Sequence, residues 1–188
     1  MERENKIVEE INMKEIDSEN IAVWISKGQW DKCVEAGAPA VESLIMALKS
    51  LPSSRYNAET RSNIILALGK IRDERAVNVL IPCLSDDCEP PGSNDIYRVG
   101  AIAAEALAMI GDARAIEPLA AVLSNQRGPW DKRTKVLWAL EKFDDPRALR
   151  GINISLRDGN PEVRRMAMVV KKKVKMRLRQ GKKWWHFW

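Results

Sequence analysis

The segment from Ser85 to Asp95 carries several side chains that could bind a metal ion. Its potential ligands are Asp86, Asp87, Cys88, Glu89 and Asp95. Carboxylate oxygens suit hard cations such as calcium, but a calcium loop alternates its ligands and includes a glycine for a sharp turn. This segment lacks that spacing. We therefore interpret it as a flexible insertion between two structural units and predict no metal site.

Residues for acid–base or nucleophilic catalysis are scarce. The single histidine is His186, so a histidine-based hydrolytic triad has only that residue to draw on. Cys33, Cys83 and Cys88 are odd in number and show no Cys-x-x-Cys spacing, which argues against a disulfide framework and a zinc site. We expect reduced thiols, no catalytic residue and no cofactor, which favours a non-enzymatic protein.

Two tryptophans are candidates for ligand contact. Trp130 follows a Gly-Pro pair, and Trp138 lies within a segment of helical periodicity. Indole rings can stack on a ligand or a nucleobase, but they also dominate the energetics of packing. We favour packing in the core or at its rim and keep stacking as the alternative.

One motif recurs three times and shows which elements must position these residues. The copies are Leu68-Gly-Lys-Ile-Arg-Asp73-Glu-Arg75-Ala-Val77, Leu107-Ala-Met-Ile-Gly-Asp112-Ala-Arg114-Ala-Ile116 and Leu140-Glu-Lys-Phe-Asp-Asp145-Pro-Arg147-Ala-Leu149. Repeats of this length indicate stacked units that bury their apolar faces on their neighbours. Each Asp can cap the helix that follows. The recurring arginines would form a ladder, either a track for phosphate or carboxylate or a set of structural ion pairs, and we favour the ion pairs.

Apolar residues before and after each motif recur at helical spacing. Before it they lie at i, i+3, i+4 and i+7, as in Ile64, Ala67, Leu68 and Ile71. After it the second helices should bury three further sets of residues. These are Val77, Leu80 and Leu84; Ile116, Leu119 and Leu123; and Leu149, Ile152 and Leu156. The sequence therefore predicts an all-α fold, an α-solenoid of about four to five helix pairs.

Weaker copies at both ends define the predicted domains. Residues 37–48 match a second helix, and residues 161–174 open one more unit. We predict N-terminal capping helices over 1–28, repeats over 29–175 and a basic aromatic C-terminal tail over 176–188.

The repeat resembles the HEAT-like repeats of the phycobilisome-lyase type. The segment from Met109 to Leu119 is the clearest match to that pattern, and Asn160 to Arg164 resembles the opening of a unit. The resemblance implies a superhelical scaffold, which serves adaptors, chromophore lyases and hydroxylases alike. A lyase-type activity with a bilin partner is the one enzymatic role that it implies, and it assigns no catalytic residue here.

Charge is distributed unevenly along the chain. Ten basic residues and no acid follow Glu162, although the whole chain has a net charge of only +5. The tail residues are Lys171, Lys172, Lys173, Lys175, Arg177, Arg179, Lys182, Lys183, Trp184, Trp185 and Trp188. Three interpretations stay open: a cap that folds over the end of the array, a helix on an anionic membrane or protein surface, or a site for single-stranded nucleic acid.

The sequence favours a scaffold that binds a protein or peptide along its second helices. Exposed contact positions predicted between the buried ones are Asn78, Glu117, Arg150 and Asn153. Targeting to anionic membrane or nucleic acid through the tail is the alternative, and a chromophore-lyase-like enzyme subunit is the third. We see no signal peptide or membrane span, so we expect a cytoplasmic protein, with peripheral membrane attachment as an alternative.

Overall fold

The computed structural model describes residues 18–88, 99–126 and 128–183, and every regular element in these ranges is a helix. Within these described ranges ten α-helices follow one another: α1 (Ser18–Ser26), α2 (Trp30–Ala36), α3 (Val41–Ser50), α4 (Ala58–Ile71), α5 (Val77–Cys83), α6 (Val99–Ile110), α7 (Ile116–Ser124), α8 (Trp130–Glu141), α9 (Ala148–Ser155) and α10 (Pro161–Lys183). Short 3₁₀ helices precede three of them, at Ala38–Ala40, Glu74–Ala76 and Ala113–Ala115. The predicted capping helix before residue 18 lies outside the described residues.

The helices stack in two layers. Helices α2 to α9 form four pairs, and the first members, α2, α4, α6 and α8, pack on one another in order. Helix α10 continues this first layer beyond α8 and also contacts α9. The second members, α3, α5, α7 and α9, form the second layer. The predicted all-α solenoid is confirmed.

The core lies between the two layers. Predicted first-helix residues such as Ile64, Leu107 and Leu140 are fully buried, as are the second-helix residues Leu80 and Leu119. Burial of this apolar surface, at about 25 cal/mol per Å², holds each unit to its neighbours.

Two of the predicted second-helix core residues are less buried than predicted. Leu149 in α9 and Leu156 just after it are only half-buried. No second-layer helix follows α9 in the described part of the chain, so one side of α9 has no neighbour.

Each recurring aspartate caps the turn that follows it, as predicted. The Oδ1 atoms of Asp73, Asp112 and Asp145 accept backbone N–H hydrogen bonds from Arg75, Arg114 and Arg147, at 2.9, 2.8 and 2.8 Å. These bonds satisfy amides that the next helix would otherwise leave unpaired. They fix the angle at which each second helix leaves its turn.

Candidate protein-binding surface

The recurring arginines form ion pairs within their own turns. The Nη2 atoms of Arg75, Arg114 and Arg147 each lie 2.7 Å from the Oδ2 atom of the aspartate two residues earlier. Hydrogen bonds from the arginine side chain and backbone lower the pKa of each of these aspartates. The predicted structural ion pairs therefore occupy the arginines that a phosphate track would need.

Two of these arginines also reach the preceding repeat. Arg75 Nη2 donates to the carbonyl oxygen of Ala38 at 2.9 Å, and Arg114 Nη2 donates to that of Glu74 at 3.2 Å. Ala38 and Glu74 each open the 3₁₀ turn of the repeat before. We call the three Asp–Arg turns the rim. Two of them link neighbouring repeats as well as capping their own helices.

A second, buried set of ion pairs recurs in two of the repeats. Arg61 Nε donates to Asp86 at 3.1 Å, and Arg133 Nε donates to Asp158 at 2.7 Å; both pairs are 25 residues apart in sequence. Arg133 also binds Asp158 through Nη2 at 2.8 Å, which makes the pair bidentate. Both charges are desolvated, so loss of one partner leaves the other buried without compensation.

The intervening repeat replaces both members of this pair. Gly100 stands where the flanking repeats have arginine, and Asn125 stands where they have aspartate. A Cβ at Gly100 would lie 2.7 Å from the carbonyl oxygen of Leu84 and 3.1 Å from Cδ of Lys132. The space has been filled by backbone and by Lys132, whose ammonium pairs with Asp87.

The acidic segment after α5 is anchored where the structure describes it. Asp86 pairs with Arg61, and Asp87 pairs with Lys132. The backbone N–H of Cys88 donates to Asp86 Oδ1 at 3.0 Å. Our prediction of a flexible insertion is therefore wrong for residues 85–88, because burial and ion pairing hold them, while Glu89 and Asp95 lie outside the described residues. Among the described residues, no three His, Cys, Asp or Glu side chains are grouped to hold a metal ion.

Residue size determines how closely the second-layer helices approach. At α7/α9 the equivalent facing positions are Ala120 and Gly151, and a Cβ on Gly151 would lie only 2.8 Å from Cα of Ala120. At α5/α7 the same two positions hold Ile81 and Pro118, and at α3/α5 they hold Ile45 and Val79. The α7/α9 interface therefore has two small facing residues, whereas the α5/α7 and α3/α5 interfaces have bulky ones. The bulky pairs keep their helices apart.

Two grooves result, and together we call them the track. The α3/α5 groove measures about 560 Å³ and is lined by Ile45, Lys49, Asn78, Val79 and Pro82 among others. The α5/α7 groove measures about 430 Å³ and is lined by Ile81, Pro82, Pro118, Val122 and Asn125 among others. Pro82 lines both grooves, so the two grooves adjoin at α5. Both grooves combine apolar lining residues with buried charged ones, Arg61 in the first and Lys132 in the second.

The four predicted contact residues are all exposed. Asn78 lines the α3/α5 groove. Glu117 directly precedes Pro118, which lines the α5/α7 groove, and its Oε2 atom lies 3.8 Å from Nη1 of Arg150. The structure therefore brings Glu117 and Arg150 together across the closed α7/α9 interface. Asn153 lies on α9, away from both grooves.

The sequence profile of the HEAT repeats matches residues 55–132 and again residues 93–170, which together cover more than half of the chain. The chain belongs to the HEAT-repeat family. It is also 34% identical over 122 residues to "Bilin biosynthesis protein PecE" from Mastigocladus laminosus. That alignment covers 64% of this chain and 40% of the relative, so the chain spans about two fifths of the relative's length. The predicted HEAT-like repeat of the phycobilisome-lyase type is confirmed.

The thiols of these HEAT repeats are poorly suited to nucleophilic chemistry. Burial raises the pKa of Cys83, which lines the α3/α5 groove, and burial also raises the pKa of Cys33. The Cys83 Sγ atom lies 3.4 Å from the carbonyl oxygen of Val79, to which it donates. Because the thiolate is the reactive form, a raised pKa leaves these thiols protonated and unreactive at neutral pH.

The two candidate tryptophans lie on α8 at the surface of the first HEAT-repeat layer. Trp130 is 49% exposed and Trp138 is 46% exposed, so neither belongs to the core. Lys142 Nζ lies 4.9 Å from the centroid of the Trp138 ring, a cation–π contact. The predicted packing in the core is therefore wrong for both rings, and Trp138 contacts Lys142 at the surface.

The basic C-terminal residues divide into two groups. Lys173 Nζ lies 3.0 Å from Glu141 Oε1, and Arg177 Nε lies 2.7 Å from Asp144 Oδ1. These pairs tie α10 to the end of α8, and sequence analysis did not separate them from the rest of the tail because their partners lie 32 and 33 residues upstream. The other described members are Lys171, Lys172, Lys175 and Arg179, on parts of α10 that face away from α8.

The remaining tail residues cannot be described in the same way. Trp184, Trp185 and Trp188 lie outside the described residues, and the side chains of Lys182 and Lys183 are likewise not described. Helix α10 runs without interruption through the predicted boundary at residue 175. Within the described ranges, no helix is both long enough and apolar enough to cross a membrane.

Proposed function

We propose that this chain is a non-catalytic scaffold that binds a protein or peptide segment along the track. The observation that carries the proposal is that two grooves lie side by side on the second layer and share Pro82 as a wall. An extended ligand that crosses Pro82 would contact both grooves. Open, elongated surfaces of this kind suit extended partners, because repeat proteins present their binding surfaces along the stack.

The chemistry of the track favours a peptide with alternating apolar and charged side chains. Ile45, Val79, Pro118 and Val122 offer apolar surface, which contributes affinity when water leaves it. Lys49 and Glu42 stand at the edges of the α3/α5 groove and can select partner charges. Asn78 adds an amide that can both donate and accept hydrogen bonds.

The closed part of the second layer would contribute less to binding. Arg150 lies on α9, and its pair with Glu117 is exposed and therefore weak, so a partner on the track can still engage Glu117. Asn153 lies beyond this pair on α9. We therefore expect Asn78 and Glu117 to contact the partner, while Arg150 and Asn153 define the edge of the site.

A site-specific photo-crosslinker at Asn78 or Glu117 tests this proposal. Each variant would be expressed in the native host, irradiated and analysed for covalent adducts. Matched probes at Glu35 and Lys70, which are exposed on first-layer helices, serve as controls. We expect a discrete adduct from the track positions and none from the controls. The same adduct at all four positions, or none at the track positions, would contradict the proposal.

The similarity to a bilin biosynthesis protein supports a second candidate, a chromophore-lyase-like subunit. In that case the track would hold a bilin or a bilin-bearing protein. The lining residues Lys49 and Arg75 could pair with bilin carboxylates, although Arg75 is also bonded to Asp73. Titration of the purified chain with a free bilin distinguishes the two: an absorbance change that Lys49→Gln weakens favours the chromophore role, and an unchanged spectrum favours the scaffold.

A further inference from the structure

Helix α10 presents one long surface to which no other described element is packed. It packs on α8 and α9, and its buried residues Val163, Ala167, Val170 and Val174 mark the side that faces the core. Lys173 and Arg177 mark the edge that faces α8. The remaining surface continues the outside of the array at its C-terminal end.

The residues of this surface follow from helical geometry. At about 100° per residue, the positions that point away from the core and from α8 fall within one arc of about 160°. We call this arc the basic face, and it consists of Arg164, Arg165, Met168, Val169, Lys171, Lys172, Lys175, Met176 and Arg179. Six of its members are basic and three are apolar. Among the basic ones, Arg164 donates to the carbonyl oxygens of Asp158 and Gly159 at 2.7 and 2.9 Å, so the lysines and Arg179 are the ones available to a ligand. The one acid of α10, Glu162, lies at its edge and pairs with Arg165.

The apolar members of the basic face are unusually exposed. Met168 is 59% exposed, Met176 is 53% exposed and Val169 is 47% exposed. They lie between lysines along a helix of 23 residues, which is about 34 Å long. Met168 and Leu156 also line a groove between α9 and α10, whose other lining residues are Arg164, Lys171, Lys172 and Lys175.

From this arrangement we infer that the basic face of α10 binds the surface of an anionic phospholipid bilayer. Lysine and arginine side chains can meet lipid phosphates while Met168, Val169 and Met176 enter the boundary between headgroups and acyl chains. The long aliphatic stems of the lysines suit that depth. The helix would lie in the plane of the membrane, with the repeats held above it.

The exposed aliphatic and thioether side chains favour lipid over nucleic acid. Single strands are bound by basic grooves that include aromatic rings on which the bases stack. The basic face has no aromatic residue, and its apolar members gain little from a phosphate backbone. A bilayer instead uses both components of the face at once.

Vesicle cosedimentation with the full chain tests the inference. The probes are vesicles of phosphatidylglycerol and phosphatidylcholine in equal parts, vesicles of phosphatidylcholine alone, and poly(U) RNA. We expect binding to the anionic vesicles, weaker binding as salt rises, and little binding to phosphatidylcholine alone. The triple variant Lys171→Gln, Lys172→Gln and Lys175→Gln should bind on the order of 100-fold more weakly, since each basic residue near such a surface is worth roughly fivefold.

A charge-matched variant separates this face from the general basicity of the chain. Lys27→Gln, Lys32→Gln and Lys70→Gln remove the same charge from exposed positions after α1, on α2 and on α4 and should leave binding nearly unchanged. Met168→Ser with Met176→Ser should weaken binding roughly tenfold, whereas Met46→Ser, at a residue 70% exposed on α3, should not.

Three outcomes would overturn the inference. These are equal losses in the two lysine variants, no effect of the methionine changes, and retention by poly(U) without retention by the anionic vesicles. The last result would assign the basic face to nucleic acid instead.

Discussion

The repeat α8/α9 and the repeat α6/α7 occupy the same positions in the scaffold with opposite residue choices. The first has the buried pair Arg133–Asp158 and a close helix approach at Gly151. The second has Gly100 and Asn125 in place of the ion pair, and Pro118 in place of the packing glycine. One repeat is closed against its neighbour, and the other borders an open groove. The same fold therefore accommodates both a close helix interface and an open groove.

The largest loss of stability should follow from breaking the buried ion pair. Arg133→Ala leaves Asp158, whose side chain is fully buried, without its main partner. We expect a loss of about 3–5 kcal/mol in the free energy of unfolding. Urea denaturation measures it.

Two further variants sharpen this prediction. Arg147→Ala, which removes an exposed arginine from an ion pair of the rim, should cost far less. The double variant Arg133→Met with Asp158→Asn should be less damaging than Arg133→Ala, because the repeat α6/α7 already folds without either charge. A double variant as unstable as the single one would show that the two repeats are not equivalent in this respect.

The next largest loss of stability should come from a larger residue at Gly151, where α7 and α9 approach closely. Gly151→Ala places a methyl group 2.8 Å from the backbone of Ala120, so α7 and α9 must separate. We expect a loss of about 1–3 kcal/mol, read as a lower thermal unfolding midpoint. Gly159→Ala is the control, since a Cβ there meets nothing within 4 Å. Equal effects at the two glycines would contradict the claim that α7 and α9 pack closely because residue 151 has no side chain.

The caps of the turns should contribute a smaller amount. Asp112→Ala removes the acceptor of the Arg114 N–H and should destabilise the chain by about 1 kcal/mol. Asp112→Asn keeps an acceptor and should cost less. Thermal unfolding of both variants measures the difference, and identical midpoints would indicate that capping contributes nothing at this turn.

Acid should destabilise both repeats, because both contain carboxylates whose pKa values are lowered in the folded state. At Asp158 burial would raise the pKa, but hydrogen bonds from Arg133 and from the N–H of Asn160 bring the pKa below its ordinary value. The pKa of Asp112 is lowered by hydrogen bonds from Arg114. A lowered folded-state pKa means that the stabilisation is complete above the unfolded value, about 3.9, and is lost as pH falls through the folded value.

We therefore expect a flat stability profile from neutral pH to about pH 5 and a decline below about pH 4. Denaturation midpoints across this range measure the profile. Replacement of Asp73, Asp112 and Asp145 by Asn should make the acid decline shallower. An unchanged slope in that triple variant would contradict the assignment of lowered pKa values to the rim.

The sequence predicts the helices and much of the core because their signals are local. Apolar residues at i, i+3, i+4 and i+7 and an aspartate before each second helix lie within one repeat. The ion pair Arg61–Asp86 was missed, although its 25-residue spacing recurs at Arg133–Asp158. That spacing is a signal that comparison of the repeats could have revealed.

The track was harder to predict because it depends on two helices at once. Exposure of Asn78 and Glu117 follows from helical periodicity, but the groove beside them depends on the size of facing residues such as Ile81 and Pro118. Only alignment of equivalent positions, with Ala120 and Gly151 as the closed case, shows which interfaces stay open. The sequence also could not separate the ion-paired basic residues of α10 from the others, because the partners of Lys173 and Arg177 lie on another repeat.

Closure of the α5/α7 groove tests the central claim most directly. Ile81→Ala with Pro118→Gly copies the Ala120–Gly151 interface into the repeat α6/α7, and circular dichroism verifies that the variant folds. The measurement is the yield of the adduct from the photo-crosslinker at Glu117. We predict that the adduct is lost in the folded variant, because the groove that holds the partner has closed. An undiminished yield would contradict the track as the binding surface.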